Sequence, residues 1–204
     1  MLATFATVVT PPALPLATTE KPIRRLEDFK GLRVTGPGKY NIDLLKALGA
    51  SPVLMPPFEQ YTALQKGIIE AAIVDPIFYS IFSLQEVLHY QSNVSFNGSS
   101  WYIVMNEEKW NSLPEDIQNV FIDTAAKFGK KVDIFGGAKK GAYVKNAVEK
   151  YNLQIINISK EEMKRIKSIE EPLLQKHIAS FEKKGLPAHE IWNFWVEARK
   201  KYNH

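Results

Sequence analysis

Residues 26–67, LEDFKGLRVTGPGKYNIDLLKALGASPVLMPPFEQYTALQKG, constrain the fold more than any other stretch of this chain. Hydrophobic spacing reads there as a helical turn, a strand over 32–34, a glycine turn, a helix over 41–48, a strand over 52–55 and a helix over 59–66. Gly49 stands where the first of these helices must stop, because the residue after a helix end favours the left-handed backbone that glycine adopts freely. The unit is βαβα. Its Gly36-Pro37-Gly38 turn falls between a strand end and a helix start. Open α/β sheets bind ligands at such places, because helix N-termini and free backbone amides converge there.

Length and charge set the outer limits. At 204 residues the chain can form one large domain or two small ones around a real core. Its net charge of +4 comes from 26 Lys and Arg set against 22 Asp and Glu. The signs alternate even in the lysine-rich run 160–167, which describes a solvated helix face rather than a nucleic-acid stripe. The absence of cysteine excludes thiol catalysis, disulfides and Cys-ligated zinc. No apolar run approaches the ~20 residues of a membrane span.

The rest of the chain continues the α/β reading. Residues 1–20 are uncharged up to Glu20, but they lack a basic start and are interrupted by Pro11, Pro12 and Pro15. They read as a strand over 2–9 and a proline-rich crossover rather than a signal peptide. A strand over 68–74, a helix over 77–89 and a strand over 100–105 follow. Ser112 and Glu115 have the spacing of a capping box, opening a long helix from 113 to about 132, or onward past Gly136-Gly137 to 150. A strand over 153–158 leads to a second such box, Ser159 and Glu162, and a helix to about 183 that contains Pro172. After Gly185-Leu186-Pro187 comes a last amphipathic helix, with Ile191, Trp192 and Trp195 expected to pack inward.

Enzyme chemistry finds little support. His89, His177, His189 and His204 form neither an H-x-x-x-H nor an H-E-x-x-H pair, so no metal site is expected. No G-x-S-x-G elbow occurs. Gly36-Pro37-Gly38-Lys39 fails both the P-loop and the dinucleotide fingerprints. It reads either as an ordinary strand-to-helix turn or as a weak anion holder made of exposed amides and Lys39. Tyr40, Phe58, Tyr61, Phe78, Tyr79 and Trp101 have the spacing of core aromatics, although aromatics beside strand ends also line apolar pockets. The sequons at Asn93 and Asn97 are short enough to arise by coincidence.

Four segments resemble one family in order. Lys21-Pro22-Ile23 and the run from Leu26 to Val34 resemble the "KPI…EDLKGLKIR" of TRAP-transporter solute-binding proteins (DctP-like). Ala47-Leu48-Gly49-Ala50-Ser51-Pro52-Val53 is similar to their "LGA-x-PV". The run from Glu59 to Glu70 is similar to "E-x-Y-x-AL-x-x-G-x-x-D". Val104-Met105-Asn106 through Trp110 and Ser112-Leu113-Pro114 resembles "VMN-x-x-x-W-x-x-LP". The resemblance implies a periplasmic-binding-protein type II-like α/β fold, a lobe with a long connecting helix and a partial second lobe. It implies a binding protein without catalysis or cofactor, closing over a small organic solute and delivering it to TRAP permease subunits in the membrane. Residues 14–100 and 141–204 would form the ligand-binding lobe. Residues 1–13 and 101–140 would belong to a second, truncated lobe, and a periplasmic signal peptide would lie ahead of this chain. The implied ligand-lining positions are Thr35, Gly38, Lys39, Tyr40, Phe58, Asp75, Phe78 and Trp101.

The chain departs from the family pattern at three places. Thr35 stands where the family has its carboxylate-clamping arginine, and a hydroxyl cannot reproduce a bidentate guanidinium grip. Asp75-Pro76 stands near the family's Asn-Pro, and Pro57, with Phe58 beside it, takes the place of an aromatic. Arg33 shares a strand face with Thr35 but lies two residues earlier. Lys39 and the amides of 36–38 are therefore the expected anion contacts. Two other readings stay open: a truncated module that dimerises or domain-swaps through the strand edges at 2–9 and 101–105, and an α/β enzyme holding a phosphorylated substrate at 36–40.

Overall fold

The computed structural model describes residues 2–9, 13–97 and 100–202. Two strands open the chain, β1 (Leu2–Val9) and β2 (Ala13–Thr18). A 3-10 turn at Leu26–Phe29 leads into β3 (Arg33–Thr35), α1 (Gly38–Ala47) and β4 (Ser51–Pro52). Then come a 3-10 turn at Pro57–Glu59, α2 (Gln60–Gln65), β5 (Ala71–Ile73) and α3 (Ile77–Ile81). β6 (Tyr90–Asn97), β7 (Ser100–Asn106), α4 (Glu107–Asn111) and α5 (Glu115–Tyr151) follow. β8 (Gln154–Ile156), α6 (Lys160–Glu182) and α7 (Ala188–Tyr202) complete the order.

Six strands form one mixed sheet in the order β4-β3-β5-β2-β6-β8, and β1 and β7 form a separate antiparallel pair. In the large sheet β3 runs parallel to β4 and β5, and β6 parallel to β8, while β2 runs antiparallel to both neighbours. Alternation along the strands supplies two cores. Leu16, Ala71 and Ile73 face Leu44 and Leu45 of α1 and Ile166 of α6. Ala17, Ala72 and Val74 face Leu64 of α2, Tyr79 of α3 and Ala147 of α5. The result is an α/β/α sandwich, in which each fully buried Leu or Ile contributes roughly 1.5–3 kcal/mol by leaving water.

β2 corrects the expected proline-rich crossover. Pro15 lies inside the strand, at a register irregularity between Pro15 and Leu16, where a missing N–H costs the ladder nothing. Its carbonyl accepts from the Val74 amide at 3.2 Å. β6 was not expected at all: Ser92, Val94 and Phe96 point inward at period two, and the buried Ser92 hydroxyl donates to the Ile23 carbonyl at 2.8 Å. The expected helix over 77–89 stops at Ile81, because Ser83 takes a left-handed conformation (φ 55°) before a 3-10 turn at Leu84–Glu86 that buries Leu84 and leads to the buried Leu88. The strand expected over 52–55 is confined to Ser51–Pro52.

The helix starts divide similarly. Ser112 is not an N-cap; it ends α4 and donates its hydroxyl to the Lys109 carbonyl at 2.8 Å, while α5 starts at Glu115 after Pro114. α5 has 37 residues, about 55 Å at 1.5 Å per residue, and packs on β1 and on α3. Ser159 does cap α6, accepting from the Glu162 amide at 3.2 Å. The Glu162 carboxylate reaches elsewhere: it accepts from the Leu26 amide at 2.8 Å and from Arg165 at 2.7 Å, and Arg165 also holds Glu27. α6 is thereby tied to the start of the βαβα unit. In α7 only part of the inward expectation holds. Trp192 is half-buried and stacks on Trp195, but Ile191 and Trp195 are exposed, since α6 covers one side of a helix that is apolar on two.

Two outcomes follow. Ser159→Ala removes the α6 cap and should lower the free energy of unfolding by about 1 kcal/mol in a urea titration, with an unchanged m-value. The Leu26 amide, then Arg165, hold Glu162 below the usual carboxylate range, and the hydrogen bond from Arg165 does the same for Glu27. A folded-state pKa that is depressed gives stability present above the unfolded value and lost as pH falls through the folded one. The urea midpoint should therefore drop between about pH 5 and pH 3, and Glu162→Gln should flatten that drop. An acid dependence identical in the two proteins would dismiss the network as its source.

Candidate functional site

The chain leaves β4, β3 and β5 at the same edge of the sheet, because the three are parallel neighbours. Backbone bonds fix their stagger: Val53 N to Val34 O at 2.8 Å, and Glu70 N to Arg33 O at 2.7 Å. The connections at that edge are 36–37, 53–59 and 74–76, within about 10 Å of one another at the usual strand spacing. Gly36 allows the closest crossing. A Cβ there would stand 2.9 Å from Ile73 Cδ1, so a side chain would have to displace the buried Ile73 side chain. Gly38 begins α1 at φ +73°, and the N-cap, Pro37, offers no side-chain bond to the helix amides. The first turn of α1 thus opens at this edge with amides that lack intrahelical partners, where the helix field favours negative charge.

The expected ligand-lining residues separate into two groups. Thr35, Gly38, Phe58 and Asp75 lie at the strand-end edge. Thr35 is only 1% exposed, paired across the strands with Ala72, so its hydroxyl belongs to the sheet rather than to an open wall. Phe58 is 69% exposed on its 3-10 turn. Asp75 accepts from the Ile77 amide at 3.2 Å and so helps to start α3. The second group turns away. Lys39 Nζ donates to Asp43 at 2.9 Å, and Asp43 also takes His177 Nε2 at 3.1 Å. Tyr40 sets its ring edge-on to His177, with centroids 5.0 Å apart, and donates its hydroxyl to Glu170 at 3.3 Å. Phe78 packs edge-on against Phe82 at 5.1 Å beside the α2–α3 core. Trp101 pairs with Val8 in β7, and its side chain lies outside the described residues.

Electrostatics follows these contacts. The Lys39 hydrogen bond pulls the Asp43 carboxyl below its usual range, and His177 adds to the pull. Burial, then the Glu170 carboxylate, raises the Tyr40 phenol. Arg33 is committed as well: its backbone amide and Nε both donate to Glu70 at 3.2 Å, and the backbone bond leads in lowering the Glu70 carboxyl. The His177–Asp43 pair has the donor–acceptor form of an acid–base dyad, but with Lys39 and Tyr40 it locks α1 to α6. Among the described residues no group of three His, Asp or Glu is arranged to hold a metal ion.

One residue at this edge was missed. Leu54, expected in a strand, is 80% exposed in the connection after β4. The Pro56-Pro57 pair just after it was the available signal, since prolines cannot continue a central strand. Gln60, at the start of α2, is buried, and among the described residues its Oε1 has no hydrogen-bond donor.

Comparison with known proteins gives these features a family. The model of the bacterial extracellular solute-binding protein family 7 (DctP) matches residues 14–181. A solute-binding protein of Albidiferax ferrireducens is 25% identical over 158 residues, which are 76% of this chain and 46% of the relative. The chain therefore spans less than half of that relative's length. A TRAP periplasmic solute-binding protein from Desulfovibrio salexigens superposes with a TM-score of 0.83 at 26% identity, over 99% of this chain and 62% of the other. A marine metagenome TRAP solute-binding protein specific for aromatic acids, solved with 3-hydroxybenzoate, superposes at 0.87 with 23% identity, over 98% and 64%. With the family model covering most of its residues and its fold shared with solved TRAP solute-binding proteins, this chain belongs to the bacterial extracellular solute-binding protein family 7.

Proposed function

We propose that this chain supplies one wall and the crossing strands of a periplasmic solute-binding protein that captures a small organic acid or related solute for a TRAP-type permease. The observation that carries the reading is the family match across 14–181 on a sheet whose parallel strands all open at one edge. No bond is made or broken; the work is closure, in which a ligand touching both walls favours the closed state over the open one. The crossing strands support this. The β1–β7 ladder ends at Val9↔Ser100 and the β2–β6 ladder resumes at Ala13↔Asn97, so the same two short connections join both sheets. A second lobe built on β1, β7 and the first half of α5 supplies the facing wall. It would also cover the exposed Val120, Ile122 and Phe128 of α5.

On this wall the ligand meets amides and apolar side chains. Thr35 stands in the arginine's place and is buried, Arg33 is held by Glu70, and Lys39 by Asp43. A carboxylate is accordingly taken by the first-turn amides of α1, with Phe58 and Leu54 against the body of the solute. The test is thermal shift and calorimetry of the 204-residue chain with aromatic acids, uronates and dicarboxylates. At least one should raise the melting temperature saturably. Phe58→Ala should weaken that ligand by about tenfold without lowering the unliganded melting temperature, because the side chain is exposed. Lys39→Ala should leave affinity within about threefold, as expected of an exposed ion pair. The reading fails if no member of the panel stabilises the protein.

A further inference from the structure

We infer, on the solute-binding reading above, that Gln60 sets specificity on this wall. Its carboxamide oxygen accepts from a hydroxyl on the body of a monocarboxylate, at the end remote from the carboxylate. Thr35, Asn41 and Gln60, all buried polar side chains, gather at the strand-end edge. Polar side chains buried elsewhere bond to backbone: Thr18 Oγ1 donates to the Lys21 carbonyl at 2.6 Å, and Ser92 Oγ to the Ile23 carbonyl at 2.8 Å. At the edge, Asn41 Nδ2 donates to the Pro37 carbonyl at 2.9 Å. Gln60 differs. It is 6% exposed, and among the described residues its Oε1 has no donor. A buried oxygen without a donor loses the hydrogen bonds it made to water and regains none by folding.

The direction of that side chain follows from α2. Residues 56–59 are exposed, and Gln60 is the first after them to turn inward. It shares one helix face with the buried Ala63 and Leu64. β4 and β5 both run parallel to β3, so the crossover through α2 starts where β4 ends. It returns to the opposite edge, where the Glu70 amide meets the Arg33 carbonyl. Helical side chains lean toward the start of their helix. Gln60, the first residue of α2, therefore aims its carboxamide at the strand-end edge, next to the turn that carries Phe58. Gln85 Oε1 is also buried without a donor among the described residues, but it lies at the opposite edge, before β6 starts beside Thr18.

The same geometry selects the solute. α1 and α2 pack on opposite faces of the sheet. A solute whose carboxylate sits on the first-turn amides of α1 reaches Gln60 only across the strand ends. Its hydroxyl must then stand at the far end of its body. A hydroxyl meets the need at little cost, because it donates without carrying charge into the layer of Ala63, Leu64 and Val74. A lone water fits less well, since it requires several polar partners and that layer is apolar.

Calorimetry of the full chain with phenylacetate, 3-hydroxyphenylacetate, 4-hydroxyphenylacetate and mandelate tests this. These acids share one skeleton and differ only in whether a hydroxyl is present and where it sits. A ring-hydroxylated acid should bind about tenfold tighter than phenylacetate, the effect of one hydrogen bond to an otherwise unpaired oxygen. Mandelate, whose hydroxyl lies beside the carboxylate, should show no such gain. Gln60→Met keeps the length of the side chain and removes the acceptor, so it should bring the ratio to about one. Without solute, Gln60→Met should melt at or above the temperature of the parent chain, whereas a glutamine serving the fold alone would make it melt lower. Equal affinity for phenylacetate and both ring-hydroxylated acids overturns the inference. So does a preference that survives Gln60→Met, or a melting temperature lowered by that substitution. If another acid of the earlier panel binds and none of these does, the inference falls and the solute-binding reading stands; if no acid binds, both fall.

Discussion

β2 is the strand on which the rest of the architecture depends. It pairs with β5 on one side and β6 on the other, and it is the one member of the large sheet that runs against its neighbours. Without it the parallel trio β4-β3-β5 has no backbone link to β6-β8. Its side chains also divide the two cores, with Leu16 in the α1–α6 layer and Ala17 in the α2–α3–α5 layer. Removing Leu16 would open a cavity against both α1 and the sheet, a loss of about 2–5 kcal/mol by the usual cost of core truncation. The irregularity between Pro15 and Leu16 leaves Asn93 and Val94 of β6 outside the register, while β2 stays paired with β6 on both sides of it.

The two helical layers are fastened differently, and the difference bears on the site. The α2–α3–α5 side is mainly apolar packing around Tyr79, whose hydroxyl donates to Gln91 at 2.6 Å. The α1–α6 side adds a polar seam: Lys39–Asp43–His177, Tyr40–Glu170, and the Glu162 carboxylate on the Leu26 amide. That seam fixes the direction of α1, hence where its first-turn amides point. Residues 39 and 40, which the family resemblance put on the ligand, serve to hold the helix that presents Gly38. In the binding role proposed above, they would act through the position they give α1.

Local rules read from the chain succeeded where the signal was itself local. The β1 strand, the glycine turn before α1, the stop at Gly49 and the Ser159 cap are all legible within a few residues, whereas the end of α5 stayed open between about 132 and 150. β2 and β6 were not, because Pro15 in one and Ser92 with two asparagines in the other are poor strand formers that tertiary pairing overrides. The polar seam could not be read either: His177 meets Asp43 across 134 positions of sequence, and Glu162 meets Leu26 across 136. Ser112 misled for a different reason. Its S-x-x-E spacing is that of a capping box, but a preceding helix, α4, already uses it as a C-terminal residue.

The departure at Thr35 acquires a physical meaning from this arrangement. A guanidinium at that position would have to leave the sheet interior, since the site beside Ala72 is closed. The neighbouring cations, Arg33 and Lys39, each have a carboxylate within 3.2 Å. In the binding role proposed above, recognition on this wall would depend on oriented amides, whose strength toward an anion is modest and depends little on which acid is bound, and on the apolar area of Phe58 and Leu54. On that proposal, discrimination among solutes would fall to shape, to Gln60 and to the facing lobe. Such a wall would favour a solute with one carboxylate and a flat or apolar body over a compact dicarboxylate, because the second charge would be desolvated without a partner.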